Sequence, residues 1–283
     1  MREHFAHCAE LVREFDRRRY LATLFAPVEK RDALLSLYAF DLEIARVRDL
    51  AREPMPAEIR LQWWSEVLAG EREGEAAAHP VAAALQDALT RYRLPIEPLS
   101  ELIEAHRFDI YDEPMPAFAD LHAYAVKTAG TIFECAVRIL TGDISAAVKA
   151  MTVEAGQAQT IARVLAALPH HAARRQLYVP LEALHHYGAE REDIFAMRAT
   201  PEARAAFAEL RLRARRHLAR IGDASVQIPE GAQPAFLPLA PLRQWLLDME
   251  RDNYDPFHPP EVSPWRHQWR IWRAAKSPRR IGG

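Results

Sequence analysis

The chain has 283 residues and a formal net charge of −2, with 49% of residues hydrophobic and 27% charged. That length buries a sizeable core, that composition is ordinary for a water-facing globular protein, and the near-neutral balance excludes a global basic field for holding nucleic acid. Glycine is scarce, at 10 residues, strong helix formers dominate and alternating β-branched runs are missing, so the reading is all-α. Positions 1–20 read as a short charged helix, interrupted near 16–20. Pro27 suits the first turn of a central helix that runs to about position 52, where Pro54 and Pro56 stop it. A third helix opens at Pro56 and carries Ile59, Leu61, Trp63, Trp64 and Val67. After a polar loop over 70–79, Pro80 starts a helix that ends before Pro95, and 95–110 is helical again. Pro114 and Pro116 break that pattern, and a long helix is expected over 118–140 with Gly130 in its middle. There a close helix approach, a ligand or a tolerated defect all fit. Ser145 caps the next helix, which is rich in small residues and stops before Pro169. A loop of concentrated positive charge follows, then a short helix to Gly188, an arginine-rich helix over 201–221 and another around 241–249. No repeat or composition break marks a linker, so one domain over 1–283 is the economical reading, with a basic, tryptophan-bearing segment over 261–283.

Cys8 and Cys135 form neither a metal spacing nor a disulfide framework, which fits a reducing cytoplasm. The polar N-terminus lacks the apolar core of a signal peptide, and no window offers the ~18 uncharged apolar residues that span a bilayer. The expected location is therefore cytoplasmic, with peripheral contact to the inner membrane left open.

The central stretch is the most informative. Leu34, Leu37, Tyr38, Asp41, Ile44, Ala45, Arg48 and Asp49 recur at three- and four-residue spacing and share one side of a helix. That side begins apolar and becomes charged, with Asp41, Ala45 and Asp49 one above the other. Either the charges are paired round a polar cavity, because lone buried charges cost several kcal/mol, or the polar end reaches solvent at the rim.

Several strings, in order, resemble the squalene/phytoene synthase family. They are Phe25-Ala26-Pro27 with Arg31 and Leu37-Tyr38-Ala39-Phe40; Arg60-Leu61-Gln62-Trp63-Trp64; Tyr92-Arg93-Leu94-Pro95; Arg107-Phe108-Asp109; Tyr124 with Thr128-Ala129-Gly130-Thr131; Gln157 with Ile161-Ala162-Arg163; and Leu177-Tyr178-Val179-Pro180. The resemblance implies an all-α, isoprenoid-synthase-like helical bundle whose central cavity holds prenyl diphosphates. In that family two aspartate-rich helices hold magnesium ions that neutralise and pull off diphosphate. Here the first motif's paired aspartates fall on Ala45 and Arg46, leaving Asp49; the second motif's fall on Val164 and Leu168. Asp41 could stand in for one lost ligand. The stretch 38–49, Gly156-Gln157-Ala158-Gln159, Leu168-Pro169-His170-His171, Arg174-Arg175, Pro234-Ala235-Phe236-Leu237 and Asp255-Pro256-Phe257-His258-Pro259 resemble the mitochondrial complex I assembly factor branch of the same family. That branch is thought to keep the fold without the chemistry. Two functions stay open. One is a noncatalytic assembly or isoprenoid/lipid-binding factor with no cofactor, whose partners would be a lipid ligand and a respiratory complex subunit. The other is a prenyltransferase using magnesium, with Asp41, Asp49 and Tyr178 as catalytic candidates.

The anion-binding candidates are Arg46, Gln157, Arg163, His170, His171, Arg174 and Arg175, since guanidinium forks match phosphate oxygens. A solvated basic loop is the alternative for 170–175, and for Arg46 an ion pair with Glu43 or Asp49, each three residues away. Tyr38, Tyr124 and Gly130 are the cavity candidates. Asp109, Asp112 and Glu113 read as solvated rather than acid–base groups. His185 and His186 point apart on a helix and suggest no metal, and no zinc pattern, Gly-rich phosphate loop or Ser-His-Asp spacing is present. The arginines at 211, 213, 215, 216 and 220 read as a solvated face. Trp265, Trp269 and Trp272, beside Arg266, Arg270, Arg273 and Lys276, either pack on the core or lie in a membrane interface.

Overall fold

Two helix ends, each robbed of intrahelical partners, open the chain: α1 (Arg2–Phe15) and α2 (Arg17–Thr23) meet at Asp16, whose carboxylate accepts the Arg19 N–H as the α2 cap. The computed structural model describes residues 1–51, 53–111, 113–260, 264–277 and 280–282. The expected end of the central helix at position 52, Asp112, and positions 261–263, 278–279 and 283 of the C-terminal segment lie outside them. The described residues contain no strand. The helices that follow are α3 (Val28–Ala45), α4 (Val47–Leu50), α5 (Pro54–Ala69), α6 (Glu73–Ala78), α7 (Pro80–Tyr92) and α8 (Ile96–Ala105), the last running into a 3₁₀ turn His106–Ile110. Then come α9 (Phe118–Ala125), α10 (Thr131–Thr141), α11 (Ala146–Ala166), α12 (Leu168–Ala173), α13 (Leu181–Tyr187), α14 (Arg191–Phe195) and α15 (Pro201–Asp223). Short turns lead to α16 (Gln233–Phe236), α17 (Leu242–Asp248) and α18 (Pro264–Ala275). No described helix is long and apolar enough to cross a membrane.

Helix α3 is the centre of the core. Leu34, Leu37, Ala39, Phe40, Asp41 and Ile44 are all buried on it, against α1, α7 and α10. A helix buried nearly all round lacks the one-sided pattern of a surface helix. The Phe40 ring meets the fully buried Trp64 of α5 edge-on at 5.1 Å. The central helix does not continue to position 52 as expected. It breaks at Arg46, whose backbone leaves the helical region (φ −101°, ψ 7°), and α4 restarts at Val47.

A second correction concerns 118–140. Between α9 and α10 the chain makes a π-turn, Val126–Gly130, an extra residue inserted into the helical ladder. Helix α11 crosses this turn at very short range. A Cβ on Gly156 would sit 2.6 Å from the Gly130 nitrogen and 2.8 Å from its Cα. The close approach that Gly130 suggested is therefore real, with Gly156 as the residue that has no room. Ser145 caps α11 through the Val148 N–H as expected. The basic stretch at 170–175 is not a plain loop: His170 and His171 lie on α12.

Candidate functional site

Where the C-terminal end of α3 meets the C-terminal half of α11, a pocket of about 110 Å³ opens between Ala45, Thr160, Arg163 and Val164. His106 and Asp109 from the 3₁₀ turn, Tyr124 and Thr128 from α9 and the π-turn, and His171 and Tyr178 from around α12 complete it. Two of the positions expected to hold metal, Ala45 and Val164, thus face one space. Leu168 is buried one turn beyond Val164.

The nearby carboxylates are already occupied. Asp41 lies one turn before Ala45, 3% exposed, in a short ion pair with the equally buried Arg19, whose guanidinium also stacks on the Tyr38 ring at 5.0 Å. Burial alone would raise the Asp41 carboxyl; Arg19, with help from Arg163, outweighs it and holds the pKa below the ordinary value. Removing one member of such a pair typically costs about 3–5 kcal/mol, because the other charge stays in the core. Asp49, on α4, pairs with Arg174 and lies 3.3 Å from His170 Nε2. A magnesium cluster needs several hard oxygen donors converging on one space. Ala45, Val164 and Leu168 supply none, and Arg19 and Arg174 hold Asp41 and Asp49, so these residues do not fit that ion. Among the described residues no three His, Cys, Asp or Glu side chains converge as a metal site.

Several anion-binding candidates have other occupations. Arg46 is stacked on the Phe15 ring of α1 at 3.5 Å and does not line the pocket; Glu43 binds Arg60 at 3.0 Å. Gln157 is buried and donates to the His122 carbonyl at 2.9 Å, tying α11 to α9. Arg175 pairs with Glu192 at 3.1 Å and covers Phe195. Arg163 differs. It lines the pocket and, among the described residues, its guanidinium makes no hydrogen bond or ion pair. Tyr38 is held under Arg19, and Gly130 at the helix crossing; neither lines the pocket.

The floor of the pocket is a network that the sequence reading missed. Asp109, read as solvated, is 9% exposed and accepts from three side chains. His106 Nδ1 donates to it at 2.5 Å, the Tyr178 hydroxyl at 2.6 Å and the Tyr124 hydroxyl at 3.1 Å. A carboxylate only accepts, so His106 is assigned the tautomer with its proton on Nδ1. Burial, then the Asp109 charge, push both tyrosine hydroxyls well above their ordinary pKa. The Phe108 ring packs edge-on against both tyrosines, 6.2 and 5.6 Å away. His171 stacks on Tyr178 at 4.5 Å, and burial, then His170, lower its pKa to about 4. Two imidazole nitrogens, His106 Nε2 and His171 Nδ1, are buried without partners. The spacing His106, Asp109, with Tyr124 fifteen residues on, was the only local trace of this group. The protons of His106, Tyr124 and Tyr178 are turned onto Asp109, so the donor the pocket offers a small oxyanion is the Arg163 guanidinium. The space is below the ~300–1,000 Å³ of ordinary ligand pockets.

A strandless bundle with a polar pocket at the ends of two facing helices is an all-α isoprenoid-synthase fold. Residues 12–273 match the squalene/phytoene synthase family, and the chain belongs to it. It is 28% identical over 254 residues to NADH dehydrogenase (ubiquinone) complex I, assembly factor 6 of Mus musculus, covering 89% of this chain and 76% of that protein. It is also 28% identical over 286 residues to 15-cis-phytoene synthase of Synechococcus elongatus, covering 93% and 90%. A crystal structure of a dehydrosqualene synthase in complex with ligand superposes with a TM-score of 0.85 over 97% of this chain and 96% of that one; at 18% identity this likeness speaks for the fold.

Proposed function

We propose that this protein is a noncatalytic member of its family, an assembly-type factor for respiratory complex I that uses the pocket to hold the anionic end of an isoprenoid or lipid ligand without a metal. One observation carries the reading: Ala45 and Val164, where the chemistry needs magnesium ligands, line one pocket, while Asp41 and Asp49 are each neutralised by an arginine. The likeness to the mouse assembly factor over most of the chain supports the client. In the pocket Arg163 supplies charge and donors for the anionic end, His171 Nδ1 is an unpartnered ring nitrogen beside it, and His106 Nε2, an acceptor, takes a hydrogen bond only from a protonated oxygen of the bound group.

The equal identity to a phytoene synthase keeps a second reading in play, a prenyltransferase that condenses prenyl diphosphates with Asp49 released from Arg174. A deletion strain separates the two. Loss of assembled complex I with an unchanged isoprenoid profile is the expected result. Normal complex I with a missing squalene or carotenoid, together with magnesium-dependent diphosphate release that Asp49→Ala abolishes, would overturn the proposal.

A further inference from the structure

Helix α18 has two unlike faces. Ile271 and Ala274 are buried against the domain, where α18 packs on α2 and the 3₁₀ turn Leu237–Leu239. On the opposite side Trp265, Trp269 and Trp272, at i, i+4 and i+7, are 63%, 48% and 46% exposed. They do not pack on the core, the commoner fate of such a stripe. Each ring carries a cation: Arg266 at 5.7 Å over Trp265, Arg273 at 4.4 Å over Trp269 and Lys276 at 3.9 Å over Trp272. Positions 264–277 contain no acidic residue, although the chain as a whole is slightly negative. Beside the stripe, Arg243, Arg270, Arg273 and Arg280 converge on a groove of about 330 Å³ that Trp269 also lines. Asp248, an acidic group close to Arg270, is engaged by Arg251 at 2.7 Å and Gln244 at 3.1 Å.

We propose that the outer face of α18 is a docking surface for an anionic phospholipid bilayer, with the three tryptophans seated at the headgroup boundary and the surrounding cations on lipid phosphates. Indole rings favour that boundary because one edge is apolar and the N–H stays wet. Cations stacked on the rings are held at the same depth, where phosphates lie. The stripe is exposed and its charges are of one sign, which suits a plane of negative charge; a protein partner's anchors instead fill recessed, well-packed pockets. The helix is amphipathic and lies along the surface, so docking needs no spanning segment. This inference is independent of what the pocket binds.

The test is flotation of the full-length chain with vesicles of phosphatidylcholine alone and of phosphatidylcholine with about one third phosphatidylglycerol. Partition onto the anionic vesicles should be at least about tenfold tighter and should weaken steeply as salt rises. Each surface cation contributes about fivefold, so Arg266→Glu with Arg273→Glu should lose at least about twentyfold. Trp269→Ala with Trp272→Ala should lose about tenfold or more while thermal unfolding stays unchanged, since both rings are exposed. Brominated lipid should quench tryptophan emission of the wild type and much less of that double variant. Equal partition onto neutral vesicles, wild-type partition by the folded variants, or complete release by inorganic phosphate at constant ionic strength would overturn the proposal. So would a solution dimer that the tryptophan substitutions turn into a monomer that never bound vesicles.

Discussion

His171 shows how a single side chain carries a measurable share of the site's energetics. Its ring is packed on Tyr178 and its pKa is lowered to about 4, first by burial and then by His170, from an ordinary value of 6.5. In the folded protein it stays neutral to about pH 4, whereas the unfolded chain takes up a proton near 6.5. Between those values the unfolded state binds more protons, so stability rises with pH. The contribution is fully present above 6.5 and is lost as pH falls toward 4, by up to about 3 kcal/mol. His267 of α18, also lowered to about 4 by burial and then by Arg18, acts in the same window and in the same direction. Urea unfolding of His171→Phe should therefore keep part of the acid-side slope and lose a comparable part. A variant with the full wild-type slope from pH 6.5 to 4 would mean that the imidazole is charged in the fold. Asp41 titrates lower still, so its loss of pairing with Arg19 begins only as pH falls below the ordinary carboxylate range.

Helix α11 depends on one glycine more than on any charge. Alanine at Gly156 would gain about 1 kcal/mol of helix propensity. It would also press a methyl group against the Gly130 backbone at 2.6 Å, and backbone on both sides cannot yield as a flexible side chain can. Overpacking of this kind costs about 1–3 kcal/mol or more, so the clash wins. At Gly130 the same methyl would meet the Ala125 carbonyl oxygen at 3.4 Å, so there the two effects roughly cancel. Thermal unfolding should show Gly156→Ala clearly destabilised and Gly130→Ala within about 1 kcal/mol of wild type; the reverse order would mean that the crossing is looser than the geometry implies. The elements themselves were largely legible in the chain. Pro80, Ser145 and Pro201 open helices where their chemistry says they should, because start signals act within one turn. The break at Arg46 was not legible, since no glycine or proline marks it and its stacking partner Phe15 lies 31 positions earlier. Asp109 escaped for the same reason: Tyr178 approaches it from 69 residues away, while periodicity reports only which residues share a face. Ala45 and Val164 could be located because a motif's register carries over position by position, even where its ligands do not.

A chain without a working metal site would carry a thermodynamic signature of that in its folded state. A cation that binds only the native state raises stability by about 2.7 kcal/mol at a hundred times its dissociation constant. For a chain of this length each kcal/mol moves the melting temperature by roughly 2–4 °C. With Asp41 and Asp49 held by Arg19 and Arg174, millimolar magnesium should leave wild-type melting unchanged to within about 1 °C. The contrast is Ala45→Asp with Val164→Asp, which places two carboxylates across a pocket of about 110 Å³. Like charges that close and partly desolvated repel and resist ionisation, so this variant should melt lower than wild type in chelator. The Arg163 guanidinium at the same pocket, without an ion pair among the described residues, can offset one of them at most. Magnesium should then restore several degrees to the variant alone, because only there do oxygen donors converge. A wild-type melt that rises several degrees with magnesium and falls back in chelator would place a working cation site in the native chain. The noncatalytic reading would then fail at its foundation, whatever became of complex I in the deletion strain.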